Sequence, residues 1–276
     1  MIDYLMRRTN YYRIAILFFL LSLILLVYLA YQKAYLLMLI YFGIQVLVLI
    51  ILLMRMLAVA KRQLDTEWID LVNEQLDPQA LLDRYESHPK VLSFPDVIAN
   101  RALCFYLLGD YAKAIFMTQE MITKEKSLSV LLISWLNLSN YYDANQEFDM
   151  GKQALEEAKK HWGTLQSKKG LRTNKVHYQN VIHAKETFYA YLDHHISYEE
   201  YLQTINQRLT QEVLTRRTRM QLRYTLACIY LQHGDLKHAE YEMEYLNEFA
   251  RKTYFYNDVQ TRWKKLKISE SAGEWL

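Results

Sequence analysis

Two long apolar stretches without a charged residue occupy most of the first sixty positions of this 276-residue chain. They cover residues 14–31 and 34–54. As helices, which rise 1.5 Å per residue, they would reach about 27 and 31 Å, close to the roughly 30 Å thickness of a bilayer's hydrocarbon core. Only Gln32 and Lys33 separate them, so the sequence predicts a two-helix transmembrane hairpin over 13–55, preceded by a cytoplasmic segment, 1–12.

Basic residues around the hairpin predict its orientation. Three precede the first span, one lies in the turn and three follow the second span: Arg7, Arg8, Arg13, Lys33, Arg55, Lys61 and Arg62. Because Lys and Arg are retained on the cytoplasmic side, we expect a cell-membrane protein with two spans and both termini in the cytoplasm. The apolar core of a cleaved signal peptide is only 7–15 residues long, which is shorter than the first span, so a signal peptide is disfavoured. The spans contain no ionisable residue, which favours an anchor over a transport pathway.

Glycine and proline are scarce, with 7 and 3 residues respectively. This scarcity disfavours disordered and turn-rich β architectures and favours helices with short connections. The net charge of +3 gives no reason to expect a nucleic-acid partner. The two cysteines, Cys104 and Cys228, lie within apolar helical patterns, so we expect buried reduced thiols. Frequent Tyr and Lys with little Gly suggest a bacterial source.

A short motif occurs twice, as LLGDYAKAI at 107–115 and as QHGDLKHAE at 232–240. Each glycine is preceded by an apolar helical stripe and followed by an aspartate. The glycine is expected to end one helix in the left-handed conformation, and the aspartate to cap the next helix. Small residues seven before and five after each glycine would let the two helices approach closely: Ala102, Ala114, Ala227 and Ala239.

This spacing resembles the tetratricopeptide repeat, a helix–turn–helix unit of about 34 residues. A further copy has its turn at Gln146. A weaker one aligns Tyr198 with the turn aromatic Tyr111, and there either the turn is one residue longer or the helices pack more widely. The resemblance implies an all-α chain in which a TPR-like α-solenoid, residues 93–276, follows the hairpin and a juxtamembrane helix pair, 56–92. A basic insertion, 163–176, interrupts the repeats.

No sequence motif for catalysis or phosphate binding is present, including the glycine-rich nucleotide loops and the H-E-x-x-H metal motif. Asp193, His194 and His195 form the one acidic–imidazole cluster, and it falls in a predicted turn. We therefore expect no enzyme activity, no cofactor and no metal site.

In this repeat family, the first helix of each pair lines a concave groove that binds partner peptides. In the family, groove-facing places lie thirteen, ten, nine and six residues before each turn. The resemblance assigns seven groove residues here: Asn100, Leu103, Asn137, Asn140, His183, Glu186 and Tyr224. Some relatives clamp the acidic tail of a chaperone with basic residues, but the corresponding places here are not basic. The resemblance implies a groove that binds a peptide segment or a helix of a partner, and amides, aromatic rings and apolar side chains suit the backbone of an extended peptide.

The sequence thus predicts a membrane-anchored scaffold that binds other proteins, themselves expected at the membrane. The alternative is a lipid-surface organiser or sensor whose basic faces contact the anionic inner leaflet. Its candidate residues surround the insertion: Lys168, Lys169, Arg172 and Lys175.

Overall fold

The computed structural model of the protein describes residues 23–24, 27–28, 30–32, 34–89, 92, 94–166, 175–210 and 214–273. These residues are all-helical, with no strand among them, as the sequence predicts. From Tyr35 onward the helices, in chain order, are α1 Tyr35–Asn73, α2 Pro78–Glu86, α3 Pro95–Leu107, α4 Tyr111–Lys124, α5 Leu128–Ala144, α6 Phe148–Gln166, α7 Lys175–Leu192, α8 Tyr198–Leu209, α9 Arg216–Gln232, α10 Leu236–Phe249 and α11 Tyr254–Gly273.

The chain divides into two compact units, Met1–Glu67 and Trp68–Leu276. In the first unit, Tyr35–Leu52 is the one stretch of the described residues long and apolar enough to cross a membrane. Its mean hydropathy is 2.6, and its large apolar side chains are exposed. The structure describes one such helix rather than the expected pair, because residues 14–22 of the first predicted span lie outside the described residues.

Helix α1 runs without a break from Tyr35 to Asn73, although the sequence prediction divided this region into a span and a separate juxtamembrane helix. The physical reason is local, since neither glycine nor proline occurs between Gly43 and Pro78. The chain reverses just after α1, where Leu76 adopts a left-handed φ of 53°. The Asp77 carboxylate then accepts a hydrogen bond from the Ala80 amide and caps α2.

Four of the later turns share one backbone conformation. Their left-handed residues are Gly109, Gln146, His194 and Gly234, with φ between 60° and 87°. In each turn, this residue's amide bonds the carbonyl three residues back, and the next amide bonds the carbonyl five residues back. This pattern is the Schellman motif, which satisfies carbonyls at the end of a helix. The glycine turns and the turn at Gln146 are confirmed where the sequence predicts them.

The third of these turns, at His194, does not lie where the sequence alignment placed it. Helix α8 begins at Tyr198, four residues after His194, whereas in the other three turns the next helix begins two residues after the left-handed residue. The Ser197 and Glu200 side chains form a capping box at the start of α8. A cap at the start of a helix therefore does not fix where the preceding helix ends.

Helices that are neighbours in sequence pack against each other through most of the second unit. The four small alanines around the glycine turns are at most 1% exposed, as their predicted role in close helix packing requires. The largest apolar core, however, combines residues from both ends of the unit. Tyr106 of α3 packs on Phe255 of α11 (ring centroids 5.3 Å apart), and Tyr111 of α4 packs on Tyr254 (5.6 Å). The last helix thus contacts the first helix–turn–helix pair.

Candidate functional site

The seven residues assigned to a groove do not form one continuous surface. Leu103 is buried in the apolar core that α3 shares with α2 and α9, so it is a core residue. The Asn100 side-chain amide donates a hydrogen bond to the Tyr85 hydroxyl at 3.0 Å. The α3 part of the predicted groove is therefore engaged by α2.

Tyr224, on α9, is covered by the C-terminal helix. Its ring packs on Phe255 at 4.6 Å between centroids, and its hydroxyl donates to Asp258 Oδ2 at 2.6 Å. Arg262 Nε donates to the same oxygen at 2.7 Å. Burial, reinforced by the neighbouring Cys228 and Asp258, raises the pKa of Tyr224 far above its usual value. Tyr224 thus contacts α11 of its own chain, where the resemblance implies a partner peptide.

The α5 residues differ from both of these. Asn137 and Asn140 are half-buried, and Ile133 is 40% exposed. Spacings of four and seven residues place all three on one stripe of the helix. No described residue forms a hydrogen bond with either asparagine side chain. The α5 stripe, defined by Ile133, Asn137 and Asn140, therefore combines an apolar contact with two amides available to a ligand.

On α7, the predicted residues face a different neighbour. The Glu186 carboxylate lies 2.9 Å from Lys159 Nζ of α6, in an exposed ion pair. His183 is exposed one turn earlier, on the same face of α7. The residue next to Glu186, Lys185, instead points to α5. The two-residue shift of the turn to His194 accounts for this, because counting back from His194 assigns Lys185, not Glu186 or His183, to a groove place.

Lys185 belongs to a polar cluster between α5, α6 and α7 that the sequence prediction missed. Its ammonium group contacts Asp143 Oδ2, and the side chains are only 12% and 11% exposed. The Tyr189 hydroxyl donates to Asp143 Oδ1 at 2.8 Å and lies 3.0 Å from Ser139 Oγ. A Cβ on Gly151 would lie 2.5 Å from that hydroxyl, so only glycine leaves room for the cluster.

Burial dominates the electrostatics of this cluster. It raises the pKa of Asp143 and lowers the pKa of Lys185, and their mutual attraction partly opposes both shifts. Burial also raises the pKa of the Tyr189 phenol. Both Asp143 oxygens already accept hydrogen bonds within the cluster, so its partners are one another. The available sequence signal was the polar pair Lys185 and Tyr189, four residues apart on one face of α7.

The described residues contain no group of three or more His, Cys, Asp or Glu side chains arranged to hold a metal ion. Of the candidate lipid-contacting residues, Lys168, Lys169 and Arg172 lie outside the described residues. Lys175 Nζ donates to the Gln166 carbonyl oxygen at 3.0 Å, which links the start of α7 to the end of α6.

Comparison of the chain with protein-family models, with curated proteins and with solved structures finds no match. Any assignment of function therefore rests on the residues of the chain itself.

Proposed function

We propose that this protein is a membrane-anchored scaffold whose helical-repeat unit binds a segment of another protein on the α5 stripe. The observation that carries the proposal is the pair of amides at Asn137 and Asn140, half-buried beside the exposed Ile133 and without a hydrogen-bond partner among the described residues. Asparagine amides both donate and accept, so such a pair suits the backbone of an extended peptide.

The repeat architecture in this proposal is TPR-like. It is supported by the four Schellman turns and by the packing of helices that are neighbours in sequence. The contacts of α11 with α3 and α4 limit the region open to a partner. We therefore place the binding surface on the second helix–turn–helix pair, α5 and α6, instead of along the entire first-helix row.

The anchor in this proposal is the hairpin of residues 13–55, with both termini in the cytoplasm. The exposed apolar surface of Tyr35–Leu52 supports a position in lipid, where such a surface carries no hydration cost. The basic residues flanking the hairpin support the orientation. A reporter fused to the C-terminus is expected to be active in the cytoplasm, and activity only on the outer side would contradict this topology.

The α5 stripe is tested by affinity purification of the full chain from membranes, followed by affinity measurement with the partner recovered. Asn137→Ala/Asn140→Ala should weaken binding by about 2 kcal/mol, roughly thirtyfold, because two amide hydrogen bonds are lost. The matched control is Asn180→Ala/Asn257→Ala, which removes two exposed amides elsewhere. An unchanged partner set and affinity in the α5 variant would refute the assignment.

A further inference from the structure

Helix α11 carries a compact cluster of positive charge on its exposed side. Lys264, Lys265 and Lys267 are all exposed, and they lie within a four-residue segment whose ends are about 4.5 Å apart along the helix axis. Their helical positions span one side of α11, which we call the lysine face. Its defining residues are these three lysines.

The charges of the lysine face are not balanced within the described part of the chain. None of the three ammonium groups forms an ion pair with a carboxylate among the side chains that the structure describes, which on α11 include Asp258 and not Glu270. The nearby Asp258 is engaged by Arg262 and by the Tyr224 hydroxyl, both through Oδ2. Elsewhere in the unit, several exposed lysines lie beside acids, as in Lys124 with Glu120 and Lys160 with Glu157. Lys126 and Lys237 are exposed single lysines without an ion pair among the described residues. The lysine face therefore differs from the rest of the described surface in holding three such charges close together on one helix.

An aromatic residue borders this face. Trp263 is half-buried, and Lys267 Nζ lies 4.7 Å from its ring centroid. The inner side of α11 is fixed in the core by Phe255 and Val259, which are at most 2% exposed. A rigid helix that presents clustered lysines next to a tryptophan has the composition of surfaces that contact the headgroup region of membranes.

We propose that the lysine face of α11 docks on anionic phospholipid headgroups. Two observations favour anionic phospholipid as the ligand of this face. One is charge complementarity, and the other is the apolar helix Tyr35–Leu52 in the same chain, which is long enough to hold the protein at a bilayer. The inference rests on the proposed anchor but is independent of the α5 stripe. Each well-placed lysine contributes roughly fivefold to such binding, so three contribute roughly a hundredfold at moderate ionic strength.

The test uses the full chain in nanodiscs, with a photoactivatable benzophenone side chain replacing exposed Thr261 on α11. Discs of neutral phosphatidylcholine are compared with discs containing about one-third phosphatidylglycerol. We expect lipid adducts at position 261 with the anionic discs, and their loss in 0.5 M salt or in Lys264→Gln/Lys265→Gln/Lys267→Gln. The control Lys124→Gln/Lys126→Gln/Lys160→Gln makes the same charge change elsewhere and should retain the adducts.

Equal adduct yields in neutral and anionic discs, or an unchanged yield in the α11 triple variant, would overturn the proposal. Salt-sensitive binding of an acidic polyglutamate peptide without anionic-lipid adducts would also overturn it and assign the face to an acidic protein. Co-elution of the chain with neutral discs measures insertion of the anchor separately from docking of the lysine face. If the anchor fails, preformed anionic vesicles give the same adduct readout, so the two failures are distinguishable.

Discussion

The turns at Gly109 and Gly234 have nearly the same local structure and different surroundings. Both glycines have a left-handed φ, 87° and 72°, and both are followed by a capping aspartate. A Cβ at Gly109 would lie 2.5 Å from Cδ2 and 2.6 Å from Cγ of Tyr254, whereas a Cβ at Gly234 would meet nothing within 4 Å. Glycine is thus required by the backbone at both turns, and by a distant helix at only one.

The largest expected effect separates the two glycines directly. Gly109→Ala should cost about 2–5 kcal/mol of folding free energy, because left-handed strain adds to the displacement of the Tyr254 ring. Gly234→Ala should cost only the strain, about 1–2 kcal/mol. Denaturant unfolding of the two variants measures the difference. Adding Tyr254→Ala should remove most of the excess cost at Gly109, and equal costs at both glycines would contradict the comparison.

In a second pair of glycines, the backbone is helical and does not itself require glycine. Only packing against other helices distinguishes the two positions. Gly151 and Gly163 both lie within α6, and only Gly151 faces another helix, where Asp143 and Tyr189 occupy the space of a Cβ. Gly151→Ala should destabilise by about 1–2 kcal/mol, since crowding exceeds the gain in helix propensity. Gly163→Ala should stabilise by up to about 1 kcal/mol. Thermal unfolding distinguishes these opposite signs, and a shared sign would be inconsistent with the packing.

The helix before each glycine turn carries a cysteine, and Cys104 is buried as predicted whereas Cys228 is half-buried. Alkaline pH should therefore affect the two thiols differently. Burial raises the thiol pKa from 9.0 to about 12 for Cys104 and to about 11 for Cys228. Above pH 9, the unfolded thiol ionises while the folded one keeps its proton, so stability falls as pH rises. Each thiol contributes a slope of about 1.4 kcal/mol per pH unit within its window.

Cys104→Ala should therefore remove one such slope between pH 9 and 12, and Cys228→Ala one between pH 9 and 11. Urea unfolding measured at several pH values checks this, with the wild type as the reference for the ionisation of other groups. Curves parallel to the wild type in both variants would show that the thiols do not contribute.

The smallest effect should be the same at both turns. Asp110 accepts a hydrogen bond from the Lys113 amide at 3.1 Å, and Asp235 accepts one from the His238 amide at 3.2 Å. Asp110→Ala and Asp235→Ala should each cost about 1 kcal/mol, because both caps act only within their own helix. A difference above about 1 kcal/mol between them would show that one cap has a tertiary role.

The candidate site was less predictable than the turns. Asn137 and Asn140 keep the half-exposed position that their spacing from Gln146 suggested. Glu186 and His183 do not face α5. They were assigned to the groove because the alignment placed the third turn two residues too late. A glycine marks a left-handed position in the sequence, but His194 adopts that conformation without such a mark. The polar cluster around Asp143 was missed for a related reason, since its partners lie 42 and 46 residues apart.

The sequence alone determined the features that depend on neighbouring residues. These are the helical class, the ends of α3, α5 and α9, the caps at Asp110 and Asp235, and the apolar stretch of α1. Tertiary structure decided what each helix meets: Tyr254 against Gly109, α11 over Tyr224, and Lys185 against Asp143. Capping hydrogen bonds and the φ preference of glycine act within a few residues, whereas these contacts form only when segments distant in the chain bury a shared surface.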